Sequence, residues 1–300
     1  MLGVSFMSRK KHDVFDLPII GYFILAIFGF GMTSVSSIGD SALGYVIPDY
    51  ATFIEWRGIK VPQASGICVA IGALIAVAIF YRWFKPDFKG MIKRKAFLTG
   101  IIMLLPVLLL HYTGSIVSWF EWGKTGAWGV FIAFLRAFAP GFGEEITYRG
   151  LGVANYMRTI KNSKGIYVIF ALSSVVFGLV HLGNVFSGAP VGVSIIQALY
   201  ATGIGMALGA VYLRTGNLLP CIIGHMSLDF MEFIRDDLHA SSGVMQGLGI
   251  GDWITIAAGV VGAVWGIFLI RKKYHDDILA LWDDKWNGAA GKNTAAKVAN

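Results

Sequence analysis

Between Pro190 and Leu213 the chain reads PVGVSIIQALYATGIGMALGAVYL, a run without a charged side chain. At about 1.5 Å of rise per residue, a helix of this length crosses the roughly 30 Å hydrocarbon core of a bilayer. Seven more apolar runs lie at about residues 18–36, 66–84, 96–116, 127–143, 166–182, 217–234 and 253–270. The composition of the 300 residues agrees, with 56% apolar and 14% charged, against about 25% charged in ordinary soluble domains. A soluble enzyme is therefore excluded. The expected fold is all-α: a single integral-membrane domain over 1–300, polytopic, with about eight transmembrane helices.

The formal charge of +7 raises the question of nucleic acid, but in a membrane chain Lys and Arg report orientation. A cytoplasmic N-terminus puts twenty of the 25 basic residues inside: Arg9–Lys11, the cluster from Arg82 to Lys95, Arg149, Arg158, Lys161, Lys164, Arg214 and the six from Arg271 onward. Arg57, Lys60, Lys124 and Arg235 fall outside, and Arg136 lies within a span. Both termini are thus expected in the cytoplasm, and no nucleic acid is expected as a partner. Ser36–Ala42 imitates a small-residue cleavage site after the first run, but that run is long enough to span, and the charge alternation needs it. The polar tail 287–300 is expected to be disordered.

Glycine is abundant, 38 residues, and small residues let membrane helices approach closely. Gly205–Gly209 and Gly262–Gly266 are read as helix packing, within one chain or between chains. Cys68 and Cys221 sit in apolar runs and form no metal or disulfide framework.

Ionisable residues inside a membrane are costly and mark functional sites. Glu144 and Glu145 follow Pro140-Gly141 at the end of the fourth run. On a helix, Glu145 and Arg149 share a face and pair, whereas Glu144 points about 100° away and stays free. Arg136 is a weaker partner for Glu144, since Pro140 is expected to kink or end the helix. The fifth run ends at His181, and the seventh carries His225 and Asp229 four residues apart on one face. Such a set suits activation of water for amide hydrolysis, or zinc ligation with an open position for water. His111, in the third run without a charged neighbour, is assigned to packing, and His12, His239 and His275 lie in polar flanks. One difficulty is depth. By these edges Glu144 sits at the cytoplasmic end of its span, and His181 lies about fifteen residues, or roughly 22 Å, from that end of the next. Either the fourth helix sinks Glu144 deeper or the fifth begins later.

Glu144-Glu145-x-x-x-Arg149, Phe177-x-x-x-His181 and His225-x-x-x-Asp229, in that order on successive helices, resemble the three signatures of the CPBP intramembrane proteases. This is also called the Abi or CAAX-protease family. It includes type II CAAX prenyl endopeptidases and proteins tied to bacteriocin processing or self-immunity. The resemblance covers a catalytic core at about 127–235. It implies an eight-helix hydrolase with a cytoplasm-facing cavity, in which Glu144 is the general base and His181 assists. Glu145 and Arg149 form a supporting clamp, while His225 and Asp229 form the oxyanion side, Asp229 either orienting His225 or being protonated by burial. The family is often described as metalloproteases, and a zinc mechanism would use Glu144, His181 and His225. The lack of His-Glu-x-x-His favours metal-free chemistry here.

The expected function is an intramembrane endopeptidase acting on a lipid-modified or membrane-associated peptide or protein. The bilayer and that substrate are its partners. The alternative is a non-catalytic bacteriocin-immunity or membrane scaffold protein of the same fold. A transporter is weighed third, and no paired repeats with interrupted helices support it. Compact loops without a eukaryotic targeting feature point to a bacterial plasma membrane, where a prenylated protein is an unexpected substrate.

Overall fold

The computed structural model describes residues 14–35, 38, 42, 45–46, 53–56, 59–62, 65–84, 94–114, 126–239 and 250–298. The elements are helix α1 (Pro18–Thr33), strands β1 (Phe53–Trp56) and β2 (Ile59–Pro62), and helices α2 (Ser65–Phe84), α3 (Arg94–Gly114) and α4 (Gly126–Glu144). A π-helical segment (Glu145–Val153) leads into α5 (Ala154–Thr159). After it come α6 (Ser163–Leu179), a 3-10 segment (Val180–Ser187), α7 (Val191–Thr215), α8 (Leu219–His239), α9 (Ile250–Leu269) and α10 (His275–Val298). Every apolar run thus contains a helix. The two strands form a short antiparallel hairpin with Phe53 opposite Pro62 in a fold that is otherwise helical, as expected. Arg9–Lys11, His12, Lys85–Lys93, Arg57 and Lys124, and most of the 36–42 stretch, lie outside the described residues.

Among the described residues, three helical stretches are long and apolar enough to cross a membrane: Ala96–Gly114, Ser163–Phe186 and Val191–Thr215. A fourth is reached if the bent pair Trp253–Leu269 and Lys272–Trp286 counts as one span. Of the other predicted spans, α1 has 16 residues, and α8 carries Asp229, Glu232, Arg235, Asp236 and Asp237. The chain is in this sense a helical protein with several helices long and apolar enough to cross a membrane.

Helix α7 is the central post. It packs against α9, α6, α3 and α8, and its backbone is reached closely because small residues face its neighbours. A Cβ on Gly262 would lie 2.7 Å from the Gly203 carbonyl oxygen, and one on Gly266 would lie 2.7 Å from that of Met206. The Gly262–Gly266 pair therefore serves contact between α7 and α9 of one chain. Asn162 caps α6, its Oδ1 accepting from the Gly165 N–H at 3.0 Å. Gly216, at φ 57°, closes α7 in the left-handed conformation that glycine adopts without a Cβ penalty.

One end of the bundle gathers basic and aromatic groups from elements far apart in sequence. Arg158 pairs with Asp16 at 3.1 Å and stacks on Phe84, Lys161 pairs with Asp283, and Arg214 donates to the Leu269 carbonyl. The indoles of Trp282 and Trp286 donate to the carbonyls of Leu213 and Ala154. His275, assigned to a polar flank, is buried here, with Nε2 2.8 Å from the Ile270 carbonyl. Helix α10 spans His275 to Val298.

Gly262→Ala is expected to lower the stability of the purified chain by about 1–3 kcal/mol, read from thermal unfolding in detergent. Gly192→Ala, whose Cβ would meet open space, serves as the matched control with no loss.

Candidate active site

The depth difficulty disappears because α4 does not end at Pro140. The helix continues through it to Glu144, widens into the π segment and finishes at Thr159, so Glu144 lies mid-way along one helical rod. Glu144 is fifteen residues before that end, and His181 is eighteen after the start of α6 at Ser163. At about 1.5 Å per residue these distances are about 22 and 27 Å from the connecting turn. The two residues therefore come to similar depths. Arg149, counted with the cytoplasmic residues, is instead wholly buried inside the bundle.

The π segment carries Glu145 and Arg149, both completely excluded from solvent. Segments with i→i+5 bonding are concentrated at functional sites. Arg149 Nη1 donates to Glu145 Oε1 at 2.6 Å, the expected clamp, and Nη2 donates to the Gly205 carbonyl at 3.3 Å. The clamp does not stop there. His225 Nδ1 lies 3.1 Å from the same Glu145 Oε1, and its Nε2 lies 3.4 Å from Asp229 Oδ2. A continuous buried chain thus runs Arg149–Glu145–His225–Asp229. With Nδ1–H donated to Glu145, His225 presents Nε2 on the Asp229 side.

Phe177 organises the centre. Its ring stands edge-on to His181 (5.4 Å), His225 (5.5 Å) and Tyr148 (5.8 Å), and the Arg149 guanidinium lies 4.1 Å above it. Gly205 makes room: a Cβ there would lie 3.0 Å from Phe177 Cδ1 and 3.2 Å from Arg149 Nη2. Gly205, read as a packing glycine, thus also bounds the site. His181 sits on the 3-10 segment with Nδ1 2.8 Å from the Phe177 carbonyl. A carbonyl only accepts, so Nδ1 carries the proton and the neutral ring keeps its lone pair on Nε2.

His181, His225 and Asp229 line one cavity of about 60 Å³, room for a few waters. Glu144 does not line it. Its carboxylate lies close enough to His225, Glu145, Arg149 and Asp229 for their charges to couple, and its Oε2 is buried without a protein hydrogen bond. Among the described residues, no hydrogen bond or ion pair joins Glu144 to His181. Arg136, weighed as a partner for Glu144, stacks on Phe233 at 4.2 Å.

Two further ionisable residues reach this cavity. His111, assigned to packing for want of a charged neighbour, has Nε2 3.6 Å from Glu232 Oε1, and Thr255 Oγ1 donates to that same oxygen at 2.8 Å. The signal for Glu232 stood in the sequence, since 225, 229 and 232 fall on one helical face. His111 and Thr255 come from α3 and α9, a juxtaposition that no local spacing encodes. As for a metal, Glu144, His181 and His225 do not converge. Among the described residues, no group of three or more His, Cys, Asp and Glu could hold an ion, and both His225 nitrogens are turned to carboxylates.

With this geometry in view, the comparison with known families is specific. Residues 125–231 match the Rce1-like family of type II CAAX prenyl endopeptidases. The matched segment holds all three motifs, runs from the start of α4 into α8, and agrees with the CPBP resemblance. No curated protein and no solved structure matches the chain. The Rce1-like family is a protease family, and an integral-membrane setting fits the apolar helices that carry the matched segment.

Removing the cation from a buried pair leaves an uncompensated charge. Arg149→Met is therefore expected to cost about 3–5 kcal/mol in unfolding free energy, while Glu145→Met with Arg149→Met costs clearly less. Equal stability of Arg149→Met and wild type would contradict the clamp.

Proposed function

We propose that this chain is an intramembrane endopeptidase that hydrolyses an amide bond in a lipid-modified or membrane-associated peptide or protein. The observation that carries the reading is the buried chain Arg149–Glu145–His225–Asp229 meeting His181 at one cavity, inside the Rce1-like segment. Charged groups are retained at such depth at a cost that a purely structural helix bundle does not need to bear.

In the proposed reaction Glu144 takes a proton from a water, whose oxygen attacks the carbonyl carbon of the substrate amide. His181, with its Nε2 lone pair, helps to hold that water. His225 Nε2–H stabilises the oxyanion of the tetrahedral intermediate, and Asp229 orients the ring. The proton on Glu144 passes to the departing amine as the C–N bond breaks. Glu145 accepts the Nδ1–H of His225, and the two carboxylates of Glu145 and Asp229 hold the ring as the imidazolium that carries Nε2–H as well; Arg149 and Glu145 together hold Glu144 in place. No step needs a metal, and zinc held by Glu144, His181 and His225 is the competing mechanism. The apolar runs and the charge pattern support eight spans with both termini in the cytoplasm, and the compact loops without a eukaryotic targeting feature support a bacterial plasma membrane. The basic end that joins Asp16, Arg158, Lys161, Arg214 and the 271–286 region is then the cytoplasmic face.

The test compares peptide termini in membranes of cells carrying wild type or Glu144→Gln at equal levels. Discrete new termini should appear with wild type and fall at least about a hundredfold with Glu144→Gln. Purified wild type should keep its activity under a chelator, whereas zinc lost together with activity would install the metal mechanism. Identical profiles with an identical cellular phenotype would favour the immunity or scaffold reading.

A further inference from the structure

At the basic end of the bundle Arg158 is neutralised by Asp16 and Lys161 by Asp283. Arg214, Arg271 and Lys273 are different: among the described residues, none of them is ion-paired with a carboxylate. Arg214 lies in the last turn of α7, whereas Arg271 and Lys273 belong to the turn between α9 and α10, where the chain bends by 57°. The three converge on one ring. Arg214 Cζ is 3.6 Å from the centre of Tyr274, Lys273 Nζ 4.7 Å and Arg271 Cζ 5.8 Å. Like charges gathered in this way repel one another. The nearest acidic residues in sequence, Asp276 and Asp277, are exposed in the first turn of α10, where the helix dipole accommodates them. Capping of helix ends uses only part of the arginines: Arg214 Nη1 donates to the Leu269 carbonyl and Arg271 Nε to that of Phe268, both at 2.9 Å. A guanidinium carries five N–H donors, so four on each are left over from the cap.

The adjoining face of α9 indicates what lies beside these cations. Val260, Val264, Ile267 and Phe268 are exposed large apolar side chains on one helix face. Such a face suits hydrocarbon, and it stops at Phe268, on whose ring the Arg271 guanidinium lies at 3.4 Å. Apolar surface thus gives way to cations within three residues, as it does where a bilayer passes from acyl chains to phosphates. We propose that Arg214, Arg271 and Lys273 form a binding site for the phosphate of an anionic membrane lipid, with the acyl chains lying along the Val260–Phe268 face of α9. The planar guanidinium groups match pairs of phosphate oxygens, and the lysine adds a point charge. A zwitterionic lipid brings an ammonium that the same three cations repel, so the site selects a headgroup with net negative charge. It lies where α7 and α9 end, apart from the cavity at His181, and does not depend on the peptidase reading.

The full chain in neutral dodecyl maltoside micelles is titrated in turn with phosphatidylglycerol, phosphatidylcholine and inorganic phosphate, and the molecules held are counted by native mass spectrometry. Phosphatidylglycerol is expected to bind at least about tenfold more tightly than phosphatidylcholine, since each cation near the membrane surface contributes about fivefold. The preference should fall at least about fivefold in Arg271→Gln/Lys273→Gln. Lys161→Gln/Lys164→Gln removes two exposed charges of neighbouring sequence and should keep the wild-type preference. Equal binding of the two lipids by wild type overturns the site, as does a preference that survives Arg271→Gln/Lys273→Gln. A loss as large in Lys161→Gln/Lys164→Gln means diffuse attraction to a basic surface and overturns it too. Inorganic phosphate that displaces phosphatidylglycerol at equal concentration makes the ligand a free anion and removes the lipid. The preference compares two lipids on the same protein, so a general loss of folded chain does not imitate the result.

Discussion

A single carboxylate oxygen, Glu145 Oε1, receives both Arg149 and His225 in a place from which solvent is excluded. Burying a carboxylate is expensive unless a cation and hydrogen bonds compensate it, and the compensation here comes from two different helices. That requirement fixes the register of the π segment against α8, because any slide of one along the other leaves a charge buried without its partner. Phe177, pressed between the guanidinium and both imidazoles, then carries the constraint to α6. The three motifs are in effect one structural device, and the proposed chemistry would be mounted on it.

The rest of the bundle supplies the closeness that the device needs. Arg149 reaches a backbone carbonyl of α7 because residue 205 has no side chain, and α9 lies against α7 because glycines meet there. Tight packing in a setting where lipid is as apolar as leucine depends on such small residues. The π segment answers a second demand. It carries the helix that begins before Pro140 on past Glu144, so that Glu144 lies mid-way along the rod, within about one helical turn of the depth of His181.

Much of this was legible in the chain. The eight apolar runs mark where the helices lie, and the i,i+4 spacings of Glu145 with Arg149 and His225 with Asp229 give pairs that the structure contains. Local periodicity could not give the link from Glu145 to His225, which joins residues eighty apart. Nor could it show that a proline within a helix is bridged rather than obeyed: α4 passes through Pro140, and the supposed break before Glu144 is absent. His111 was misread for the same reason. Its carboxylate neighbour arrives from α8, and a search for partners along α3 cannot find it. Glu232 is within reach of the sequence, one turn beyond Asp229 on the same helix face, although it lies outside the motif.

The most direct test of the account is a double-mutant cycle between Glu145 and His225, using Glu145→Gln, His225→Gln and the pair together, with unfolding free energy of the full chain in a bilayer mimic as the readout. A shared buried oxygen predicts a coupling of about 0.5–3 kcal/mol. Effects that add to within about 0.5 kcal/mol would mean that the two residues do not act on each other, and the site would not be the single unit described above.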